Sequence, residues 1–505
     1  MTALVVAACG SSRAPVTTAS VTSAAAPSAG EAGSAPGAVS ARAVPEADWP
    51  TFGFDAQRTG SGPAATGITA ADLRSLSLRR VTIDGIADSA AIELHGLAVG
   101  GTSRDVAVVT TSYGRTIAID ARTGRRLWEF APAGVNSTPG NPQVTTASPV
   151  ADPDRRYVYS ASPNGVIHKL ALATGRPLWA TRITFDAAHE KIASSLAVDG
   201  ADVVAVTGGY IGDVPPYDGH VVTLTRAGGR IVHVWNSECS DRHRLIRASS
   251  CSVTNTRGDN AIWGRAGAVI EPGSGRLLVA TGNGPFNGST NWGDSVLELS
   301  PDAATLLHNW TPVNQAQLSS SDADVGSTSP ALLPVVGGRR LAVQGGKDGT
   351  LHLLDLDRLD GTTGGAGRRL GGELSETSSP GGGQVLTAPG VWRRGGAVYV
   401  FVGDDSGITA YRLQDPAAPR LAVVWSSPTG ATSPVIAGGL LYTYDPSGSI
   451  EIRRPLSSTV LRSLPAAGGH WNSPIVAGGR IIEPTGAYGT SASLSEIDIY
   501  HLPGR

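Results

Sequence analysis

Apolar and polar residues alternate along most of this chain in short runs, and the runs return in a recurring phrase. TIAIDARTGRRLWEF (116–130) is answered by IHKLALATGRPLWAT (167–181). Weaker copies follow at 220–235, 295–310, 350–361 and 408–425, and two degenerate ones, SIEIRRPL (449–456) and EIDIYHL (496–502), close the series. Alternation at period two predicts half-buried strands, TIAID among them. The Thr-Gly pair supplies a turn in which Gly takes a positive φ. Four residues after it a Trp (Gly124 to Trp128, Gly175 to Trp179) is placed as a large apolar plug on the next strand.

Tight-hairpin signals precede the phrase: PNG (163–165), KDG (347–349), DSG (405–407) and PSG (446–448). Further upstream a strand opens on Ser-Pro or Ala-Pro, as at 148–150, 329–331, 388–390, 433–435 and 473–475, where the missing N–H of proline costs nothing. One unit is therefore four strands, clearest in SPV, RYVYSAS, VIHKLAL and PLWATRI. Such units bury their faces only against neighbours, so the expectation is all-β: an eight-bladed β-propeller of four-stranded antiparallel blades. The weakness of the last two copies leaves seven blades open.

Composition adds compartment and partners. Gly (65 residues) and Pro (33) suit many tight turns, and a net charge of −2 without Lys/Arg clusters excludes nucleic acid as a partner. V-A-A-C at 6–9 resembles the lipobox of bacterial lipoproteins, which makes Cys9 the lipidation site and the membrane a partner through a lipid anchor alone. The apolar run before Cys9 is shorter than a full signal segment, so residues 1–9 read as a truncated signal remnant whose natural start lies upstream. Residues 10–47 are Ser/Ala/Pro/Gly low complexity and read as a disordered tether, leaving 48–505 for the propeller. The expected location is extracytoplasmic, on the bacterial cell membrane. In that compartment Cys239 and Cys251 are expected to form a disulfide rather than a metal pair.

The repeat A-x-D-x-x-T-G-x-x-x-W resembles that of the quinoprotein alcohol dehydrogenases and of pyrroloquinoline-quinone-like propellers generally. DWPTFGFDAQRTG (48–60) and ITAADLRSL (68–76) are similar to that family's opening segment, a Trp-x-x-x-Gly strand before a short helix, with Thr69 and Asp72 as its cap. In the family's enzymes a quinone and a calcium ion lie near the axis, held by a Glu, an Asn and an Asp. The resemblance puts Asn283, in TGN (281–283), at the Asn ligand. It puts Asp324 or Asp322, in SSDADVGSTSP, at the catalytic and metal-binding Asp, and Lys347, in GGKDG, at the basic residue that touches the quinone. Trp263, in IWG (262–264), becomes the floor of a pocket. Each also has another reading: Asn283 and Lys347 as turn residues, Asp322-x-Asp324-x-Gly326 as a short calcium loop, and Trp263 as blade packing. Two parts of the family pattern are missing. Thr110, Thr111 and Ser112 stand where adjacent cysteines pack on the quinone, and Tyr210 stands where the Glu is expected; a neutral Tyr is a poor calcium ligand.

Two functions follow. The first is a non-catalytic binding or scaffold propeller, lipid-anchored in the cell envelope, with no cofactor and with a protein or small-molecule ligand at its mouth. The alternative is a quinoprotein dehydrogenase oxidising alcohols or sugars, with quinone and Ca²⁺ in an altered site. HExxH, GxSxG and GxGxxG are all absent from the sequence, so zinc hydrolase, serine hydrolase and dinucleotide chemistry have no support.

Overall fold

The computed structural model describes residues 48–210, 214–251, 259–362, 365–488 and 492–503. Cys9 and the tether at 10–47 lie outside these residues. The fold is all-β, an eight-bladed propeller, and the two degenerate repeats are blades in full standing. Blade 1 runs Ile92–Val99, Thr102–Thr110, Thr116–Asp120 and Arg126–Phe130, and blade 2 runs Val150–Ala151, Tyr157–Ser162, Val166–Ala171 and Pro177–Arg182. Blades 3 to 7 repeat the meander, their first strands beginning at Ala197, Val269, Ala331, Gly390 and Val435. Blade 8 takes Ile475–Ala477, Arg480–Thr485 and Leu494–His501 from the C-terminal end and its outermost strand, Ser77–Asp84, from the N-terminal end. That last pairing is an unbroken antiparallel register from Ser77 opposite His501 to Asp84 opposite Leu494.

The third strands of several blades are more buried than their alternation predicts. All five residues of Thr116–Asp120 are buried, as are the four of Val296–Leu299. A blade is covered on both faces by its neighbours, so the polar side of the alternation, Thr116 and Asp120 included, is inside as well. The outermost strands, such as Val460–Pro465, keep the most exposed pattern.

The repeated Trp seals the seam between blades rather than its own hairpin. Trp128 donates from Nε1 to the Leu172 carbonyl (2.7 Å), and its ring lies against Gly175, whose φ is +70° and where a Cβ would sit 2.5 Å from the ring. Trp179 meets Gly229 in the same way. The Thr-Gly turn thus serves two ends, a left-handed turn in its own blade and a seat for the preceding blade's indole.

The opening segment is neither strand nor helix as expected. Trp49 makes a single bridge to Glu93, and 68–76 contains only a 3₁₀ turn, Asp72–Arg74, to which Thr69 donates from N and Oγ1 at 2.9 and 2.6 Å onto Asp72 Oδ2. The segment instead runs inside the ring. The carbonyls of Pro50, Ala56 and Thr59 accept from Ala151, Ile270 and Val391 on the first strands of blades 2, 4 and 6, and Gly60 and Gly62 bond Ile436 in blade 7. Arg58, buried, donates to the carbonyls of Phe52 (3.0 Å) and Leu196 (2.9 Å). Phe52 packs with Ala90, Ala266 and Ala388, which enter blades 1, 4 and 6, so the axis is plugged by a phenyl ring.

Cys239 and Cys251 are joined by a disulfide, with Cα atoms 6.1 Å apart, in the segment after blade 3. No helix among the described residues is long and apolar enough to cross a membrane.

Candidate functional site

In an antiparallel meander, the loops between second and third strands share one face of the ring with the connections from each outer strand to the next blade. Every candidate residue sits on such a loop. Trp263 precedes blade 4 and Asn283 follows its second strand; Asp322 and Asp324 precede blade 5 and Lys347 follows its second strand. Four of these come together around one carboxylate. Trp263 Nε1 donates to Asp324 Oδ2 at 2.9 Å, and Lys347 Nζ lies 3.5 Å from Asp324 Oδ1 and 5.4 Å from the centre of the Trp263 ring. Lys347 Nζ also donates to Asp322 at 2.6 Å, at the half-exposed rim. The indole–carboxylate bond requires Gly282 beneath it, since a Cβ there would lie 2.9 Å from Asp324 Oδ2 and 3.1 Å from Trp263 Nε1. Asn283 is buried, and its carbonyl accepts from the Asn260 N–H at 3.1 Å.

Burial pushes the Asp324 carboxyl up to about 6 against the opposing pull of Lys347. Asp294, buried beside it, is raised well above the usual carboxylate range by burial and by the charge of Asp324.

A second constellation was not legible in the repeat. Asp88, Arg265, His470, Trp471 and Tyr488 meet on the same face from blades 1, 4 and 8. Arg265 bonds Asp88 through Nη2 and donates from Nη1 to the Asp88 and Thr146 carbonyls at 2.8 and 3.0 Å. Asp88 Oδ2 also takes the Tyr488 N–H at 3.1 Å and has His470 Nδ1 at 2.9 Å. Burial alone would raise Asp88, but Arg265 and His470 hold it well below the usual carboxylate range. His470 stacks on Trp471 (4.0 Å between centroids), and Trp471 lies 5.9 Å from Trp263, linking the two groups into one polar and aromatic floor. Lys191 stands over the Tyr488 ring at 4.3 Å, its amine lowered to about 7 by burial and by Arg265.

Residues 114–301 match the family described as outer membrane protein assembly factor BamB. No curated protein sequence matches the chain. Among solved structures, the quinohemoprotein alcohol dehydrogenase of Comamonas testosteroni is 17% identical, with 91% of this chain and 81% of that one aligned at a TM-score of 0.64. The alcohol dehydrogenase ADHIIG of Pseudomonas putida HK5 is 15% identical over the same shares, with a TM-score of 0.67. A europium-containing methanol dehydrogenase is 14% identical over 91% of this chain and 98% of its own, with a TM-score of 0.65. The fold is that of the PQQ-like β-propellers.

The resident group of the propeller's enzymes, quinone with calcium, can be set against the side chains present. Calcium asks for several hard oxygen donors. Here Asp324 already receives Trp263 on one oxygen and faces Lys347 with the other. The Tyr210 hydroxyl donates to the Ala187 carbonyl at 3.1 Å, and its proton is held more firmly still by burial. Among the described residues no three His, Cys, Asp or Glu side chains converge in a way that would hold a metal ion. Thr110, Thr111 and Ser112 are buried at the end of a blade 1 strand. The donor set does not fit a calcium–quinone pair.

Proposed function

We propose that this PQQ-like propeller is a non-catalytic binding and scaffold module of the bacterial cell envelope, presenting the loop face to its ligand. The observation that carries this reading is the state of Asp324: this carboxylate, one of the two that the resemblance puts at the catalytic position, is paired with Lys347 and hydrogen-bonded by Trp263, while Asp322, the other, is paired with Lys347 at the rim. A group so engaged is neither a free metal ligand nor an available base. The Cys239–Cys251 disulfide agrees with an oxidising, extracytoplasmic compartment. Titration calorimetry of the purified protein with pyrroloquinoline quinone in excess Ca²⁺ is expected to give no saturable heat. Low-micromolar binding that disappears in Asn283→Ala and Asp324→Ala would overturn the reading.

The dehydrogenase remains as a second reading because Trp263, Asp324 and Lys347 do converge, and the same titration decides between the two.

Attachment through a lipid on Cys9, with 10–47 as tether, belongs to this proposal. A random coil of that length spans on the order of 35 Å. Cys9→Ala, expressed with its upstream coding sequence, is expected to move the protein from the membrane to the soluble fraction. Retention on the membrane counts against lipidation.

A further inference from the structure

Apart from the Asp324 group, the loop face holds a recess of about 280 Å³ framed by the loops of blades 5 to 7 and the connection into blade 8. Three of its side chains are buried and carry polar atoms with no hydrogen-bond partner among the described residues: Asp404 Oδ2, Thr387 Oγ1 and Thr432 Oγ1. Asp404 is fixed in orientation. Its other oxygen accepts the backbone N–H groups of Ser406 and Gly407, both at 2.8 Å; the neighbouring Ser379 hydroxyl, which donates to the Gly383 carbonyl at 2.6 Å, lies close enough to favour the charged form of Asp404 slightly. Unsatisfied buried acceptors are costly, and an oriented carboxylate with a vacant oxygen is costlier still.

The charge around the recess has one sign. Asp404, Asp405 and Asp445 line it, without any lysine or arginine. The basic side chain present, His470, has its Nδ1 against Asp88. Apolar surface comes from Leu386, Ala431 and the indole of Trp471.

We propose that this recess binds a small organic cation through a primary ammonium group. An ammonium carries three N–H donors and one positive charge, and so answers both a set of unpartnered oxygens and an uncompensated carboxylate. The convergence of metal-ligating side chains that an inorganic cation needs is missing among the described residues. A neutral polyol would supply donors but leave the charge of Asp404 buried and unpaired. The volume is just below the range of drug-sized sites, which suits a ligand of a few methylenes. Burial and Asp405 raise the Asp404 carboxyl to about 6, so the charged form that the ligand needs is lost as pH falls through that value. Asp405, Asp445 and His470 are the other titratable groups facing the recess.

The inference goes beyond the proposed function and stands or falls separately, since the quinone titration reads Asn283 and Asp324 and this one reads Asp404. The test is calorimetric titration of the whole protein with 1,4-diaminobutane, with 1,4-butanediol as its uncharged counterpart and CaCl₂ as an inorganic cation. Saturable binding of the diamine is expected at pH 7.5, weakening below pH 6. Asp404→Asn should weaken it at least tenfold and Thr432→Val severalfold, with the native unfolding temperature showing that each variant is folded. Should Asp404→Asn fail to fold, Thr432→Val alone carries the comparison. Equal binding of the diol, displacement of the diamine by equimolar Ca²⁺, unchanged affinity in the folded variants, or no binding of the diamine to the native protein would each overturn the proposal.

Discussion

Arg480→Met is expected to lower folding stability by about 3–5 kcal/mol, because it strips the main counter-charge from buried Glu93 and one of three basic partners from Asp105 at the point where the ring closes. Arg480, only 1% exposed on the second strand of blade 8, donates from Nε to Glu93 Oε1 and from Nη2 to Asp105 Oδ2 in blade 1, both at 2.8 Å. Burial raises Glu93, and Arg480 is the largest influence opposing it. Asp105 is held far below the usual range, where His95, Arg122 and Arg480 together outweigh the effect of burial. Removing the guanidinium leaves Glu93 inside without its main partner, and Asp105 with only His95 and Arg122. Chemical denaturation of wild type and variant measures the loss. Adding Glu93→Gln to the variant should restore part of it, since the side chain at 93 then no longer needs a cation. A loss under about 1 kcal/mol would mean that the network is idle.

Stability is also expected to decline as pH rises from about 5 to about 9, by an amount on the order of 2–4 kcal/mol. Glu238 sits beside the disulfide at the junction of blades 3 and 4, and burial, then Asp218 and Asp259, push its carboxyl up to about 9. Asp218 is raised to about 7, again chiefly by burial. His220 rises to about 9: burial would lower it, but Glu190 and Asp218 prevail. The sign is the same for all three. Each folded-state value lies above its unfolded one, so between the two the folded chain holds more protons, and stability is lost as pH climbs toward the folded value. Lys191, lowered to about 7, acts in the opposite sense above that pH and tempers the slope. Thermal unfolding across the range provides the measurement. Glu238→Gln should flatten the profile and raise the unfolding temperature at pH 8.5. If the variant follows the wild-type curve, Glu238 is not the group responsible.

Eight repeats were legible from the alternation of the third strand, reinforced in the clearest copies by the turn and the Trp of the seam; SIEIRRPL and EIDIYHL carry neither a Thr-Gly turn nor a Trp, which left seven blades open. The closing strand SLRRVTID was not legible. As the outermost strand of blade 8 its side chains are mostly exposed, so selection for alternation is weak, and its partner lies at the far end of the chain. The period-two reading of TIAID went astray for the opposite reason, since contact on both faces hides its polar positions. At the site, Trp263, Asp324 and Lys347 were named through the resemblance to the quinoprotein family. His470, Trp471 and Asp88 belong to connections whose sequence owes nothing to the repeat, Asp404 stands just before a repeated hairpin turn that gives no sign of a ligand, and only the closed ring shows which of them face one another.

The phenyl ring of Phe52 turns the propeller from a pipe into a cup. An open bore would let an extended chain or a stream of ions pass from one face to the other. Here Phe52 and the three alanines around it stop the passage, and Arg58 fastens the stopper to the wall of blade 3. Whatever reaches the floor of Trp263, Trp471 and His470 must leave by the way it came. A molecule bound on the loop face would therefore enter and leave by that face alone.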